Sequence, residues 1–199
     1  MTADWVIKLF RKAICDYHQL DKLEPPCPSI YPEDYLSEIF FHKAWIDTVQ
    51  WHLEDEIRRE DLPPLDFISL KRRIDLLNQR RTEKVEKIEG VLKDLLQPGD
   101  NLDGALRTES LGWAIDRLSI LQLKIYHMDI ESTRQDSNFK LVKEAKSRLV
   151  KLELQNKNLI DSINKLIIDL KSGAVKYNMF EQHKLYNDPD TNPALYGVE

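Results

Sequence analysis

The distribution of proline is the sequence feature that most limits how this chain can fold. The nine prolines lie almost entirely between long segments in which apolar residues recur every three or four positions. Proline interrupts helices, and a three–four apolar period is typical of amphipathic helices. The pattern therefore predicts long helices separated by short connections. The predicted helices cover residues 3–22, 32–61, 65–97, 106–133 and 137–172.

The fourth predicted helix is apolar on every side between Leu111 and Met128. A helix of this kind usually lies at the centre of a bundle, surrounded by other helices. Asp116, Arg117 and Lys124 interrupt it, which argues against a membrane span. No strand pattern and no internal repeat occur in the sequence. We therefore expect an all-α fold, a bundle of about five long, mostly antiparallel helices.

The fifth predicted helix carries a heptad repeat over residues 137–172, with mostly apolar a and d positions. Asn156 occupies one a position, and a single polar residue in such a seam can fix register and oligomeric state. The seam can be covered by the same chain or by a second copy. We expect its C-terminal half to pack within the bundle and its N-terminal half to project from it or to meet a second chain in a homo-oligomer. The predicted single domain spans residues 1–185, and an extended tail follows over 186–199.

The composition narrows the functional classes. The 29 basic and 34 acidic residues give a net charge of −5, which argues against general binding to nucleic acid or to an anionic membrane. With only 6 glycines, a glycine-rich phosphate loop is not expected. Two cysteines are too few for a disulfide framework, and the N-terminus does not resemble a signal peptide. These features predict a cytoplasmic protein.

Three polar segments together resemble a known family. They are Trp51–Arg58, Lys71–Arg81 and Glu109–Ile120, and the resemblance continues into the tail at Tyr186–Pro189. The family is a bacterial domain of unknown function (DUF), number 4254 in that series, and the similarity covers most of the chain after residue 40. Leu111 replaces an expected proline, and Thr82-Glu83 replaces an expected Asn-Asp. The resemblance implies that the polar motifs belong together, and it implies no reaction.

Polar residues on the apolar faces of predicted helices indicate a candidate site. Asn78 and Arg81 fall inside the apolar arc of the third helix. A charged side chain that faces a core is costly unless it is paired. Two interpretations remain open, a salt-bridge network that fixes helix register and a ligand-binding site. The candidate ligand-binding residues are His52, Asp75, Asn78, Arg81, Glu109, Asp116 and Arg117.

A second set of residues could bind a metal. If consecutive helices pair as antiparallel hairpins, His52 lies level with Asp75, and Asn78 lies level with His127. Imidazole and carboxylate groups at one level suit a divalent metal. The candidate metal ligands are His52, Asp55, Asp75 and His127. A lone histidine in a bundle is more often simply packed and hydrogen-bonded, so a divalent metal is the less favoured interpretation, and these residues do not determine the cofactor.

The leading functional hypothesis is a bundle that binds a small anionic or metal-chelated ligand. Arg81 and Arg117 would supply fixed positive charge. The first alternative is a non-catalytic assembly protein whose buried ions are structural. A weaker alternative is a magnesium-dependent, all-α nucleotide pyrophosphohydrolase, suggested by Glu54-Asp55 followed by Glu83 and Glu86. In that case the two acidic pairs would lie about 15 Å apart along the helix axis, which opposes a shared magnesium site. The sequence does not decide whether a ligand is turned over.

Overall fold

Five long helices form a bundle in the computed structural model, which describes residues 1–20, 22–98, 103–136 and 138–182. The helices are α1 (Ala3–Tyr17), α2 (Tyr35–Glu56), α3 (Pro64–Leu96), α4 (Leu111–Thr133) and α5 (Phe139–Lys171). Within the described ranges there is no strand, only an isolated parallel bridge between Ala105 and Val175. The predicted all-α fold is confirmed. The tail predicted over 186–199 lies outside the described residues, so the division at residue 185 stays a prediction.

Capping explains why two helices begin later than the sequence predicts. α2 begins at Tyr35 because the Asp34 carboxylate accepts a hydrogen bond from the Ser37 N–H at 3.1 Å. α4 begins at Leu111 because the Ser110 hydroxyl accepts one from the Trp113 N–H at 3.4 Å. Asp34 and Ser110 are thus caps outside the helices, so the predicted starts near 32 and 106 were wrong by several residues.

α1 and α2 run in the same direction. Trp5 contacts Phe40 and His18 contacts His52, so residues offset by 35 and 34 positions lie side by side along both helices. The connection over residues 18–34 can span roughly 55 Å when extended, ample to return along α1. The Trp45 indole N–H holds this connection by donating to the Pro25 carbonyl at 3.1 Å.

The remaining helices alternate in direction, as expected for most of the bundle. Between α3 and α4, Arg81 contacts Asp116, whereas the later residue Glu89 contacts the earlier residue Ser110. This order identifies an antiparallel pair. Short connections reverse the chain between α2 and α3 and between α4 and α5. As a result, α1, α2 and α4 point one way, and α3 and α5 point the other.

α4 holds the central position, because it packs against each of the other four helices. Leu118 and Leu123 in its middle are fully buried. It is nevertheless no more buried than α2, with 11 of 23 residues against 11 of 22, because all of its residues from Lys124 onward except Ser132 are at least partly exposed. None of the helices in the described ranges combines the length and the apolar character that a membrane span requires.

The heptad seam of α5 packs on α4 of the same chain. Its second half buries Ile163, Ile167 and Leu170, whereas its first half buries only Ala145. The Asn156 side-chain carbonyl accepts a hydrogen bond from the amide of Gln122 on α4 at 2.7 Å. Because Asn156 has a partner within the chain, it does not by itself indicate a second copy.

Substitution of Gly112 tests how closely α3 and α4 approach each other. A Cβ at this position would lie 2.4 Å from Glu89 Oε2, and the Gly112 N–H donates to that same oxygen at 2.6 Å. We expect Gly112→Ala to lower the free energy of unfolding by about 1–3 kcal/mol in urea denaturation, because the buried carboxylate must move. In α3, a Cβ at Gly90 would meet nothing within 4 Å, so Gly90→Ala should stabilise the protein by about 0.5–1 kcal/mol. Equal effects of the two substitutions would contradict this packing.

Candidate functional site

Four charged side chains from three helices form a buried network. Lys43 and Asp47 pair on α2, and the Lys43 ammonium lies 2.9 Å from Asp116 on α4. Arg81 on α3 donates to both oxygens of Asp116, from Nε at 3.0 Å and from Nη2 at 2.6 Å. Lys43, Asp47 and Asp116 are almost completely inaccessible to solvent. Two cations balance two carboxylates, so the network has no net formal charge.

The two carboxylates of this network titrate differently. Burial raises the pKa of Asp47, and repulsion by Asp116 adds to this effect against the attraction of Lys43. Burial also opposes ionisation of Asp116, but Lys43 and Arg81 outweigh it and lower the pKa of Asp116. Ser119 donates a hydrogen bond to Asp47 at 2.5 Å. The negative charge of the network is therefore held most firmly on Asp116, the residue that Arg81 binds.

An open groove of about 700 Å³ borders the network and runs between α4 and α5. Three cationic side chains, Arg81, Arg117 and Lys124, line it, together with the acidic residues Glu109 and Asp116. The rest of the lining is apolar or uncharged and comprises Trp113, Ile120, Leu121, Gln155, Asn158, Leu159 and Ser162. The groove thus combines positive charge with an apolar wall.

Four of the seven candidate ligand-binding residues line this groove, namely Arg81, Glu109, Asp116 and Arg117. The other three lie elsewhere. Asn78 accepts a hydrogen bond from Gln50 of α2 at 2.8 Å, and Asp75 pairs with Lys71 on its own helix. His52 belongs to a separate cluster of histidines. Lys124, which sequence reasoning did not include, is the additional cation of the groove.

Three histidines form this cluster near the carboxyl ends of the parallel helices α1, α2 and α4. His18 caps α1, His52 lies one turn before the end of α2, and His127 lies in the last third of α4. Their ring centroids are 5.0 to 5.5 Å apart, and one ring nitrogen of each lies within 4.8 Å of the others. Among the described residues, this is the one group of three or more potential metal ligands.

The surroundings of the rings fix their orientation. His18 Nδ1 donates to the Ile14 carbonyl at 2.6 Å, which leaves its Nε2 as an acceptor 3.0 Å from His52 Nε2. Tyr17 stacks on His52, and Trp51 stacks on His127 with the two rings almost parallel. Hydrogen bonds therefore orient His18 and His52, and aromatic stacking holds His52 and His127 in place.

Burial keeps the three rings neutral at neutral pH. It lowers the pKa of His18 and of His52. It also lowers the pKa of His127 to about 4, with a further contribution from His18 and His52. The negative charge of Asp55 opposes the lowering at His52 and His127. Neutral imidazole is the form that binds metals.

The structure brings together two of the four candidate metal ligands, His52 and His127. Asp55 acts on them through its charge, but its carboxylate is 59% exposed and accepts a hydrogen bond from Arg58 at 2.8 Å. Asp75 is not part of the cluster. The prediction that Asn78 and His127 lie side by side at one height along the bundle was wrong. The reason is that α4 begins at Leu111 and is shifted along α3. His18 was missed because the helices were expected to be mostly antiparallel. An α1 antiparallel to α2 would place His18 at the end of the bundle away from His52.

The acidic residues that suggested a pyrophosphohydrolase do not meet. Glu83 is exposed and binds Gln79 on its own helix, and Glu86 accepts a hydrogen bond from the Gln182 N–H. Glu54 and Asp55 do not form a shared carboxylate cluster with them in the described part of the chain. The geometry therefore gives no support to a magnesium site of that type.

The fold and its site define a class of protein, an all-α bundle in which a buried charge network borders an open groove and a histidine cluster lies further along the same helices. Residues 37–179 match the family described as "Protein of unknown function (DUF4254)", and the chain belongs to this family. The matched region contains the whole charge network, His52 and His127, whereas His18 precedes it. No curated protein and no solved structure matches the chain.

Proposed function

We propose that this protein binds a small anionic molecule in the groove between α4 and α5. The supporting observation is that Arg81, Arg117 and Lys124 line one groove beside an apolar wall. Pockets that bind small molecules commonly combine such a wall with a few convergent polar groups. Arginine donors match the oxygen geometry of phosphate and carboxylate groups.

The three cations differ in how freely they can bind a ligand. Arg81 is anchored by two hydrogen bonds to Asp116, yet 27% of its side chain remains exposed. It can provide a fixed positive charge whose position does not depend on the ligand. Lys124 is exposed and forms no ion pair within the described part of the chain. Its charge is available without breaking an existing pair.

Arg117 can bind an anionic ligand if the ligand replaces its present ion-pair partner, Glu109. Its side chain is 66% exposed and pairs with Glu109 at 3.0 Å. Exposed ion pairs contribute only about 0–1 kcal/mol, so an anionic ligand can replace Glu109 at little cost. A released Glu109 carboxylate would then be free to bind a cation carried by a metal-chelated ligand. These features favour an anionic group at the Arg117 end of the groove, with an apolar body packed on Trp113 and Leu159.

The dye 1-anilinonaphthalene-8-sulfonate (ANS) tests this site, because it joins an anionic sulfonate to a flat apolar body. We expect the folded protein to bind it in the groove. Arg117→Ala and Lys124→Ala should each weaken binding roughly 10-fold, the effect of losing one favourable charged contact. Dissociation constants measured by fluorescence titration at two salt concentrations give the comparison.

Lys8→Ala and Lys143→Ala serve as matched controls, since both lysines are exposed and neither lines the groove. These variants should bind ANS as tightly as the unmodified protein. Circular dichroism should show that all four variants keep the helical fold. The absence of ANS binding, or an equal affinity in all four variants, would contradict the proposal.

Self-association through the first half of α5 is a second candidate function. Phe139, Val150 and Leu154 there are 82%, 65% and 61% exposed. Apolar side chains of this size on one helix are typical of a protein–protein contact. We further propose that the protein acts in the cytoplasm, in keeping with two unpaired cysteines, Cys15 and Cys27.

Light scattering tests the assembly proposal. At micromolar concentration we expect a mass above the 23.4 kDa of one chain, because the exposed apolar side chains of one copy would pack on those of another. Leu154→Lys should return the protein to a monomer, since a charge at the contact would have to be buried. Ser162→Lys, at an exposed position in the second half of α5 and outside this contact, controls for the added charge. A monomeric unmodified protein would contradict the proposal.

A further inference from the structure

We propose that His18, His52 and His127 bind one divalent transition-metal ion, with Zn²⁺ the best match. This site is separate from the groove, and the proposal does not depend on anion binding there. Zinc sites with three protein ligands keep a fourth position open for water or substrate. All three candidate ligands here are imidazoles, which suit Zn²⁺ and its neighbours among the transition metals. Mg²⁺ and Ca²⁺ prefer oxygen ligands, and this set offers none.

The spacing of the rings fits such an ion. Zinc–nitrogen bonds of about 2.0–2.1 Å in tetrahedral geometry place two ligand nitrogens about 3.3 Å apart. The Nε2 atoms of His18 and His52 are 3.0 Å apart, and all three ligand nitrogens fit within 4.8 Å of one another. Small side-chain rotations would complete the coordination without moving the helices.

The hydrogen bond of His18 is that of a metal-binding histidine. A histidine that binds a metal usually donates its other ring N–H to a carbonyl or a carboxylate, which fixes the tautomer. His18 does this through its bond to the Ile14 carbonyl, so its Nε2 lone pair faces the cluster. In the metal-free protein, His52 Nε2 would then carry a proton and donate it to His18.

One ring nitrogen of the cluster finds no partner in the described ranges. His127 Nε2 is buried, and none of the described residues forms a hydrogen bond with it. A buried polar atom in that state costs free energy, and such atoms are uncommon in folded proteins. A metal ion at the centre of the cluster would give this nitrogen a partner and would engage all three rings.

The local field also favours a cation. Because α1, α2 and α4 are parallel, their carboxyl ends lie on the same side of the bundle, and the carboxyl end of a helix is its negative end. His18 caps α1 and His52 lies one turn before the end of α2, and Asp55 adds a negative charge nearby. Parallel packing thus brings together the negative ends of several helices. In an antiparallel pair, the positive end of one helix would instead lie beside the negative end of the other.

The site is accessible. A cavity of about 320 Å³ opens beside it and is lined by His18, His52, Tyr17 and Lys22, among others. A water molecule on the open coordination position would face this cavity. Zinc lowers the pKa of a bound water to about 7, so the ion would supply a nucleophilic hydroxide or a site for a Lewis base.

Zinc titration of the 199-residue chain, free of any affinity tag, tests the proposal. After removal of metals with EDTA, calorimetry should report one equivalent of Zn²⁺ bound with submicromolar affinity. His52→Phe and His127→Phe keep an aromatic ring against Tyr17 and Trp51 but remove a ligand nitrogen. Each should weaken Zn²⁺ binding by more than the roughly 100-fold that loss of an outer hydrogen-bond partner can cost.

His42→Gln is the matched control, because His42 lies on α2 outside the cluster and pairs with Glu38. It should retain the affinity, as should Arg117→Ala, which separates this site from the groove. Co²⁺ added to the unmodified protein provides a readout that does not depend on how the variants fold. We expect the intense visible absorption of four-coordinate Co²⁺. Weak Zn²⁺ binding, a six-coordinate Co²⁺ spectrum, or an equal loss in His42→Gln would overturn the proposal.

Discussion

The pairing of Lys43 and Arg81 with Asp47 and Asp116 determines how α2, α3 and α4 lie against one another. An unpaired charge in this interior would cost several kcal/mol, and a shift of α4 by one turn would take Asp116 away from both cations. The register of α4 in turn positions the rest of the site. Arg117 follows Asp116 directly, and His127 lies three turns further along the same helix, about 16 Å away. The groove and the histidine cluster are therefore held at a fixed separation.

The number and approximate extent of the helices could be predicted from the sequence, because apolar periodicity and proline are local signals. Helix starts were less accurate, since they depend on side chains such as Asp34 and Ser110 that bond the first turn. The direction of α1 could not be predicted. A connection as long as residues 18–34 permits either a parallel or an antiparallel neighbour, and the choice depends on tertiary packing such as the contact of Trp45 with Pro25.

Part of the site could be predicted for a similar reason. Arg81 and Asp116 stood out as charges on apolar helix faces, and the structure joins them by two hydrogen bonds. Their partners Lys43 and Asp47 were missed, because a lysine four residues before an aspartate is also the usual pattern of an exposed ion pair. The signal that distinguishes them is their position in α2, whose apolar and aromatic residues surround the helix instead of forming one stripe. His18 required the direction of α1, which local patterns do not contain.

The most direct test of the central role of the charge network compares two double-mutant cycles by urea denaturation. One cycle combines Arg81→Met with Asp116→Asn, and the other combines Arg117→Met with Glu109→Gln. If the buried network fixes the register, the coupling energy of the first pair should be about 1.5 kcal/mol or more. The exposed second pair should give only about 0.2–1 kcal/mol. A coupling of the buried pair no larger than that of the exposed pair would contradict the account.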